Sequence, residues 1–313
     1  MATLFLNPNL PSYFVSAPEV TSAETARSYV PEFEAGKVVT FPNLKASVDH
    51  DFWASLDTRE YPALRKLGGL VQDDHNLTVK LHRESLRQRG VEEGMVNTLC
   101  DQFQAIYTAL LPVYRAVFAD YRFEKKKVVW RLNTLMNENM HLDVYDEERP
   151  EHFARMFINL DTQPRIWQTS WTVDDLIDQL KGRIPESAIR EKSRADLWKE
   201  LSFALFGPSP QQWWDNQPHH VAYFDPGDIW IVDSRQVTHQ IFYGRRALSI
   251  DFSVARESMQ DQSRHYLSFV DRFRSDSLDL MAASAKSAVG PGLRERLFQR
   301  WNIDRLTRRV GVE

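Results

Sequence analysis

The chain has 313 residues, 42% of them hydrophobic and 26% charged, with a formal net charge of −4 and one cysteine. That balance fits a globular protein with enough chain for a full core, and the mildly acidic charge argues against nucleic acid as a partner. One cysteine excludes an internal disulfide and a Cys-rich zinc site, and no stretch approaches the ~18 apolar residues of a transmembrane segment.

The first residues, "MATLFLNPNLPSYF", lack the basic and apolar blocks of an export signal, so a cytoplasmic protein is expected. "GKVVTFPNL" predicts an early strand, a β-branched run between Gly36 and Pro42. From Val91 to Asp120, apolar residues recur at helical spacing (Val96, Leu99, Phe103, Ile106, Leu110, Val113, Val117), which predicts an amphipathic helix with Cys100 as a buried thiol. "KKKVVWRLNTLM" then reads as a strand. "HFARMFINL" reads as another, with Phe153, Arg155, Phe157 and Asn159 on one face. In "SWTVDDLIDQL", Thr172 ahead of Asp174 and Asp175 is helix-start chemistry, and "SRADLWKELSFALFG" predicts a second helix closed by Gly207. Asp225-Pro226-Gly227-Asp228 makes a turn, followed by the strands "IWIVD", "THQIFY" and "ALSIDFSV", with "SRQ" and Gly244 as breaks. The remainder, 256–313, is charged and helical in pattern. These elements predict one domain of mainly β structure with flanking helices (α+β), a small barrel or sandwich. Its core strands fall at about 36–45 and 125–254, with a helical buttress at about 91–120 and a C-terminal helical extension.

Within this frame His141 and Asp143 are separated by one residue. On a strand, that spacing puts both side chains on one face, with Cα atoms about 7 Å apart, so both can reach one ion. His239, in "VTHQIFYG", is the best third ligand. His219 and His220 are its rivals, because "PHHVAYF" also leads into a strand. His50, His75, His82, His152 and His265 lack a carboxylate at workable spacing and read mostly as surface residues. Two histidines and one carboxylate are the facial set of non-haem Fe(II) oxygenases, which leaves coordination positions for a co-substrate and O₂. A 2-oxoglutarate co-substrate also needs a cation for its far carboxylate, ideally a forked arginine. Arg155 ranks first, between Phe153 and Phe157; Arg245 and Arg246 rank second, and Arg165 beside Trp167 third.

The assembled pattern resembles the iron(II)/2-oxoglutarate-dependent dioxygenase superfamily, and within it the Kdo hydroxylases, which act on 3-deoxy-manno-octulosonic acid of the lipopolysaccharide inner core. The resemblance rests on "GKVVTFPNL", on the Trp-Arg segment before the HxD in "VVWRLNTLMNENMHLD", and on Arg155-Met156-Phe157-Ile158-Asn159. It rests also on Pro164-Arg165-Ile166-Trp167 and on "PGDIWIVDSRQVTHQ", and covers roughly 30–170 and 220–254. It implies a double-stranded β-helix (jelly-roll, cupin-like) fold, iron on His141, Asp143 and His239, and Arg155 near the co-substrate, with Asn159 and Trp167 beside it. The loop "VYDEERPEHF" departs from the family pattern, and so do the segments 171–220 and 256–313.

The resemblance implies hydroxylation of a small polar or acidic substrate, with Fe(II) as metal and 2-oxoglutarate and O₂ as co-substrates. A carboxylate at 143, where the superfamily's halogenases carry a small residue, favours hydroxylation or desaturation over halogenation. Arg131, with Asn133 and Tyr145, is the expected substrate side of the pocket, and Arg165 and Arg246 are further cations for an acidic group. The acidic residues Asp146, Glu147, Glu148 and Glu151 would instead suit an amine. The alternatives are a biosynthetic oxygenase acting on a free amino acid or secondary metabolite, a cupin-like metal or sugar binder, and a protein-binding module. In the last, helices 91–120 and 256–313 would form a homodimer interface.

Overall fold

The computed structural model describes residues 2–19, 23–57, 62, 66–71, 80–132, 140–143, 148–206 and 217–288. In chain order its strands are β1 (Thr3–Phe5), β2 (Phe14–Ser16), β3 (Val38–Lys45), β4 (Lys66–Val71), β5 (Phe123–Leu132), β6 (His152–Asn159), β7 (Arg165–Thr172), β8 (His220–Phe224), β9 (Asp228–Val232), β10 (Val237–Tyr243) and β11 (Arg246–Val254). The helices are α1 (Ala23–Arg27), α2 (Val30–Glu34), α3 (His50–Ser55), α4 (Lys80–Gln88), α5 (Glu93–Val117), α6 (Val173–Leu180), α7 (Glu186–Glu191), α8 (Arg194–Phe206) and α9 (Tyr266–Ala288).

The strands form two sheets. One has seven strands in the order β2-β3-β9-β6-β11-β5-β4, the other four in the order β1-β8-β7-β10. The pairings are antiparallel except β2 with β3. Alternation along each strand decides which core a side chain joins. On the large sheet Ala154, Met156, Ile158, Ile229, Ile231, Leu248, Ile250 and Phe252 point outward against α5, whose Val96, Leu99, Phe103, Ile106, Leu110 and Val117 complete one cluster. Full burial of each Val, Leu, Ile, Met or Phe among them is worth about 1.5–3 kcal/mol. This cluster is why the helix read from the sequence forms at all. It also spends that helix's apolar face inside the chain, where the dimer reading needed it free. Trp230 and Val232 point the other way and meet Trp167, Ala222, Phe224, Val237 and Ile241 of the small sheet, which makes a sandwich of the jelly-roll kind.

A third cluster is helical. Residues of α6, α7, α8 and α9 pack on each other, and two residues from the segment between β5 and β6, Met140 and Leu142, are buried among them. The Thr172 cap forms as a reciprocal box: Thr172 Oγ1 accepts from the Asp175 N–H and the Asp175 carboxylate accepts from the Thr172 N–H, each at 3.3 Å.

Strands β3, β5, β6, β9, β10 and β11 lie where the sequence predicts strands. β7 is not legible in that way. Its buried face carries Arg165 and Thr169 beside Trp167, while Ile166 is partly exposed, so the polar–apolar alternation that would reveal a strand is broken. The predicted C-terminal helix begins later than expected. Single 3-10 turns at Arg256–Ser258 and Gln262–Arg264 precede α9, and residues 289–313 and Gly207 lie outside the described residues.

Candidate metal centre

His141 sits in a two-residue antiparallel bridge with His239: each N–H donates to the other's carbonyl, at 3.0 and 2.9 Å. One step further, the Asp143 N–H donates to the Ser234 carbonyl at 3.0 Å. The segment 140–143 is therefore laced to the β9–β10 turn and to β10, and its side chains alternate. Met140 and Leu142 enter the helical cluster, while His141 and Asp143 face His239 across the bridge. Trp198 of α8 donates from Nε1 to the Asp143 carbonyl at 3.5 Å, a second tie from the helices to this segment.

The result is a compact donor set. One atom from each of His141, Asp143 and His239 lies within 4.8 Å of the other two, and among the described residues no other such cluster of three occurs. A metal with bonds of about 2.1 Å at right angles holds its ligands about 3 Å apart, within reach of small side-chain rotations here. His141 Nε2 is 3.5 Å from Asp143 Oδ1, and the two imidazoles are 4.4 Å apart at their centroids. His239 is buried and stacks on Trp167 at 5.3 Å and 19°. Its Nδ1 lies 3.1 Å from the Val237 carbonyl, a contact that requires the proton on Nδ1 and leaves the Nε2 lone pair for a metal. Burial would raise the pKa of Asp143, but the Arg155 charge, with His141 and His239, outweighs it and holds the carboxyl well below the usual range. The donor set of two neutral imidazoles and a carboxylate fits Fe(II).

His220 is not part of this group. Its Nδ1 accepts from the Asn7 N–H at 2.9 Å and its Nε2 lies 2.8 Å from the Pro11 carbonyl, so both ring nitrogens serve the N-terminal segment. His219 lies beside the Gln217 carbonyl and Gln168.

The expected co-substrate residues are distributed differently from the sequence reading. Arg155 does lie beside the triad, but its guanidinium is taken up by carboxylates. Nη1 meets Asp143 Oδ2 and Ser234 Oγ, while Nε and Nη2 meet Asp251 at 2.9 and 3.1 Å. Arg165, Arg245 and Arg246 gather at the other end of the sandwich, around the buried Asp161 and the Gly244 turn. Gly244 follows His239 by five residues, roughly 16 Å of extended strand. Between the two lies a buried aromatic layer in which Trp167 and Trp230 pack edge to face at 5.4 Å and Trp230 stacks on Phe224 at 3.9 Å. Gly244 is required there: at φ 144°, a Cβ would stand 2.6 Å from Arg165 Cγ. Asn159 is likewise occupied, donating to the Gln163 and Phe224 carbonyls and accepting from the Asp161 N–H. Arg131 stands opposite Ala247 in the β5–β11 ladder, and Asn133 and Tyr145 lie outside the described residues.

Sequence reasoning missed a buried polar cluster behind the β9–β10 turn. His152 and His265 read as surface residues, yet both are fully buried. His152 Nδ1 lies 3.2 Å from Asp233, which is paired with Arg235 at 2.8 Å, and Arg235 is held between the rings of Phe153 and Tyr266. Asp233 reads only as the end of the strand "IWIVD" and Arg235 only as part of the "SRQ" break, because their partners come from β6 and α9. Ser234 and Asp251 were missed too. The alternation of Ser249, Asp251 and Ser253 in "ALSIDFSV" was the available signal for a polar inner face.

Burial, then the charges of Arg235 and His152, pushes His265 down from the usual 6.5 to about 2. The unfolded chain takes up this proton below about pH 6.5 while the folded one refuses it, so stability falls with decreasing pH across that window, by up to ~1.4 kcal/mol per pH unit. His265→Gln is expected to flatten the fall in urea midpoint between about pH 6.5 and about pH 4.5, above the range where carboxylates contribute. An unchanged slope would refute this assignment.

The family model described as 3-deoxy-D-manno-oct-2-ulosonic acid (Kdo) hydroxylase matches residues 17–276. The structure is similar to that of the Kdo hydroxylase KdoO, a non-heme Fe(II) α-ketoglutarate-dependent dioxygenase solved with α-ketoglutarate and Fe(III). The identity is 16% and the TM-score 0.57, over 83% of this chain and 95% of that one. A 2OG-Fe(II) oxygenase family protein from Burkholderia pseudomallei is matched at 11% identity and TM-score 0.33, over 78% of this chain and 95% of that one. The likeness to KdoO shows a shared fold, the double-stranded β-helix. No curated protein matches the sequence.

Proposed function

The chain belongs to the Kdo hydroxylase family, and from that premise we infer that it is an iron(II)- and 2-oxoglutarate-dependent hydroxylase acting on a Kdo-like sugar acid. The single observation that carries the reading is the donor set His141, Asp143 and His239, gathered within 4.8 Å at one end of the sandwich. These three residues would hold the iron. The bound metal supplies the means of coupling decarboxylation of 2-oxoglutarate to insertion of one O₂ oxygen into a C–H bond. The protein's own part is to bind, orient and exclude water. Trp167, Trp230, Phe224 and Phe157 wall off the interior beneath His239, and the helices behind Leu142 fix the HxD segment. We keep Arg131 as the cation for an anionic group of the substrate, with Asn133 and Tyr145 as substrate contacts; Arg155, Arg245, Arg165 and Arg246 already face carboxylates or carbonyls. The acidic-loop reading, an amine substrate, loses Glu148, whose carboxylate pairs with Arg194.

No described helix is long and apolar enough to cross a membrane. We place the enzyme in the cytoplasm, where a free, buried thiol such as Cys100 stays reduced. The test is turnover. The reconstituted protein is expected to form succinate in step with a product one oxygen atom heavier when given Kdo-bearing lipid or oligosaccharide. Succinate formation at the same uncoupled rate with and without such acceptors would reject the sugar-acid assignment.

A further inference from the structure

The two oxygens of the Asp143 carboxylate are not equivalent. Oδ2 accepts from both Arg155 Nη1 and Ser234 Oγ, while Oδ1 faces His141 Nε2 at 3.5 Å. Ser234 is buried and grips the residue twice, since its carbonyl also accepts the Asp143 N–H. Arg155 cannot pivot away easily: its other edge is paired with Asp251, and its guanidinium carbon lies 5.6 Å from the centroid of the Phe157 ring. Opposite placement in the β6–β11 ladder fixes the Arg155–Asp251 pair.

The geometry points to Arg155 and Ser234 as positioning residues that make Asp143 a one-oxygen metal ligand, with Arg155 not serving as the cation for 2-oxoglutarate. This inference rests on the iron-site reading above and deepens it. A free carboxylate can offer a metal one oxygen or two, and the second oxygen would occupy a position that a chelating 2-oxo acid needs. Here two charge-assisted or short hydrogen bonds saturate Oδ2 and turn Oδ1 to the histidines, so the carboxylate enters the site already oriented.

The test uses the full chain, Co(II) as the probe metal and 2-oxoglutarate, titrated anaerobically and followed by visible absorbance. Two variants bear on the claim independently: Ser234→Ala, and the paired Arg155→Met/Asp251→Asn, which removes the ion pair without stranding Asp251. Each is expected to raise the Co(II) dissociation constant about 10- to 100-fold. Combining them should raise it by less than the product of the two effects, because both act on one oxygen. In metal-saturated Ser234→Ala, 2-oxoglutarate should bind more weakly and the cobalt spectrum should change. Cobalt affinity within twofold of wild type in Ser234→Ala would overturn the inference. So would a paired variant that keeps Co(II) affinity but loses 2-oxoglutarate, since Arg155 would then be the co-substrate cation. A wild-type protein that binds no Co(II), or a His141→Ala variant that binds it as tightly, would instead overturn the site reading itself.

Discussion

Replacing His239 by alanine is expected to remove the metal and with it all hydroxylation. Loss of an outer residue that merely supports a metal ligand costs about 10–100-fold in affinity or activity, so loss of one of three ligands should exceed that, leaving turnover at least about 10³-fold down. The substitution should be structurally mild. His239 contributes its backbone to the bridge with His141, which alanine retains; its ring stacks on Trp167, lies 4.4 Å from the His141 ring and holds the Val237 carbonyl through Nδ1. Metal content after reconstitution, succinate yield and the urea midpoint together check the claim. Retained metal with lost activity would recast His239 as a substrate or proton group, and retained activity would reject the triad.

Arg235→Met is expected to be the most destabilising single change outside the apolar cores. Arg235 and Asp233 are both fully buried, joined by two contacts at 3.0 and 2.8 Å, and Arg235 also donates to the Glu151 carbonyl. Burial would raise Asp233, but Arg235 and then His152 hold it far below the usual carboxylate range. Without the arginine, an ionised carboxylate is left in the interior, which costs about 3–5 kcal/mol. The comparison that isolates this cause is Asp233→Asn/Arg235→Met, where the stranded charge is gone and part of the loss should return. If the double variant is no more stable than Arg235→Met, the cost lies in the lost packing between Phe153 and Tyr266. Because the same turn carries Ser234, Arg235→Met should also weaken metal binding, an effect the urea midpoint alone does not register.

Much of the fold was written in local patterns. Helix α5 declares itself through seven apolar residues at helical spacing, and β6 through an apolar run that sets Ala154, Met156 and Ile158 on one face. The DPGD turn is announced by its proline and by Gly227, which the structure places at φ 75°. The metal candidates were legible for the same reason. An HxD needs only one strand to put two donors on one face, and a histidine in a later strand pattern is a visible third.

What the sequence determined by itself, then, is everything fixed by neighbours along the chain: periodicity, caps, turns and the pairing of His141 with Asp143. The tertiary structure decided which distant charges meet. It gave Arg155 to Asp143 and Asp251, and Arg245 to Asp161. It buried His152 and His265, and it set an aromatic layer between His239 and the three arginines at the Gly244 turn. The physical reason is that an arginine's role depends on which carboxylate lies within ~4 Å, and contacts between distant segments, such as Asp143 with Ser234, join residues about ninety positions apart that no local pattern links.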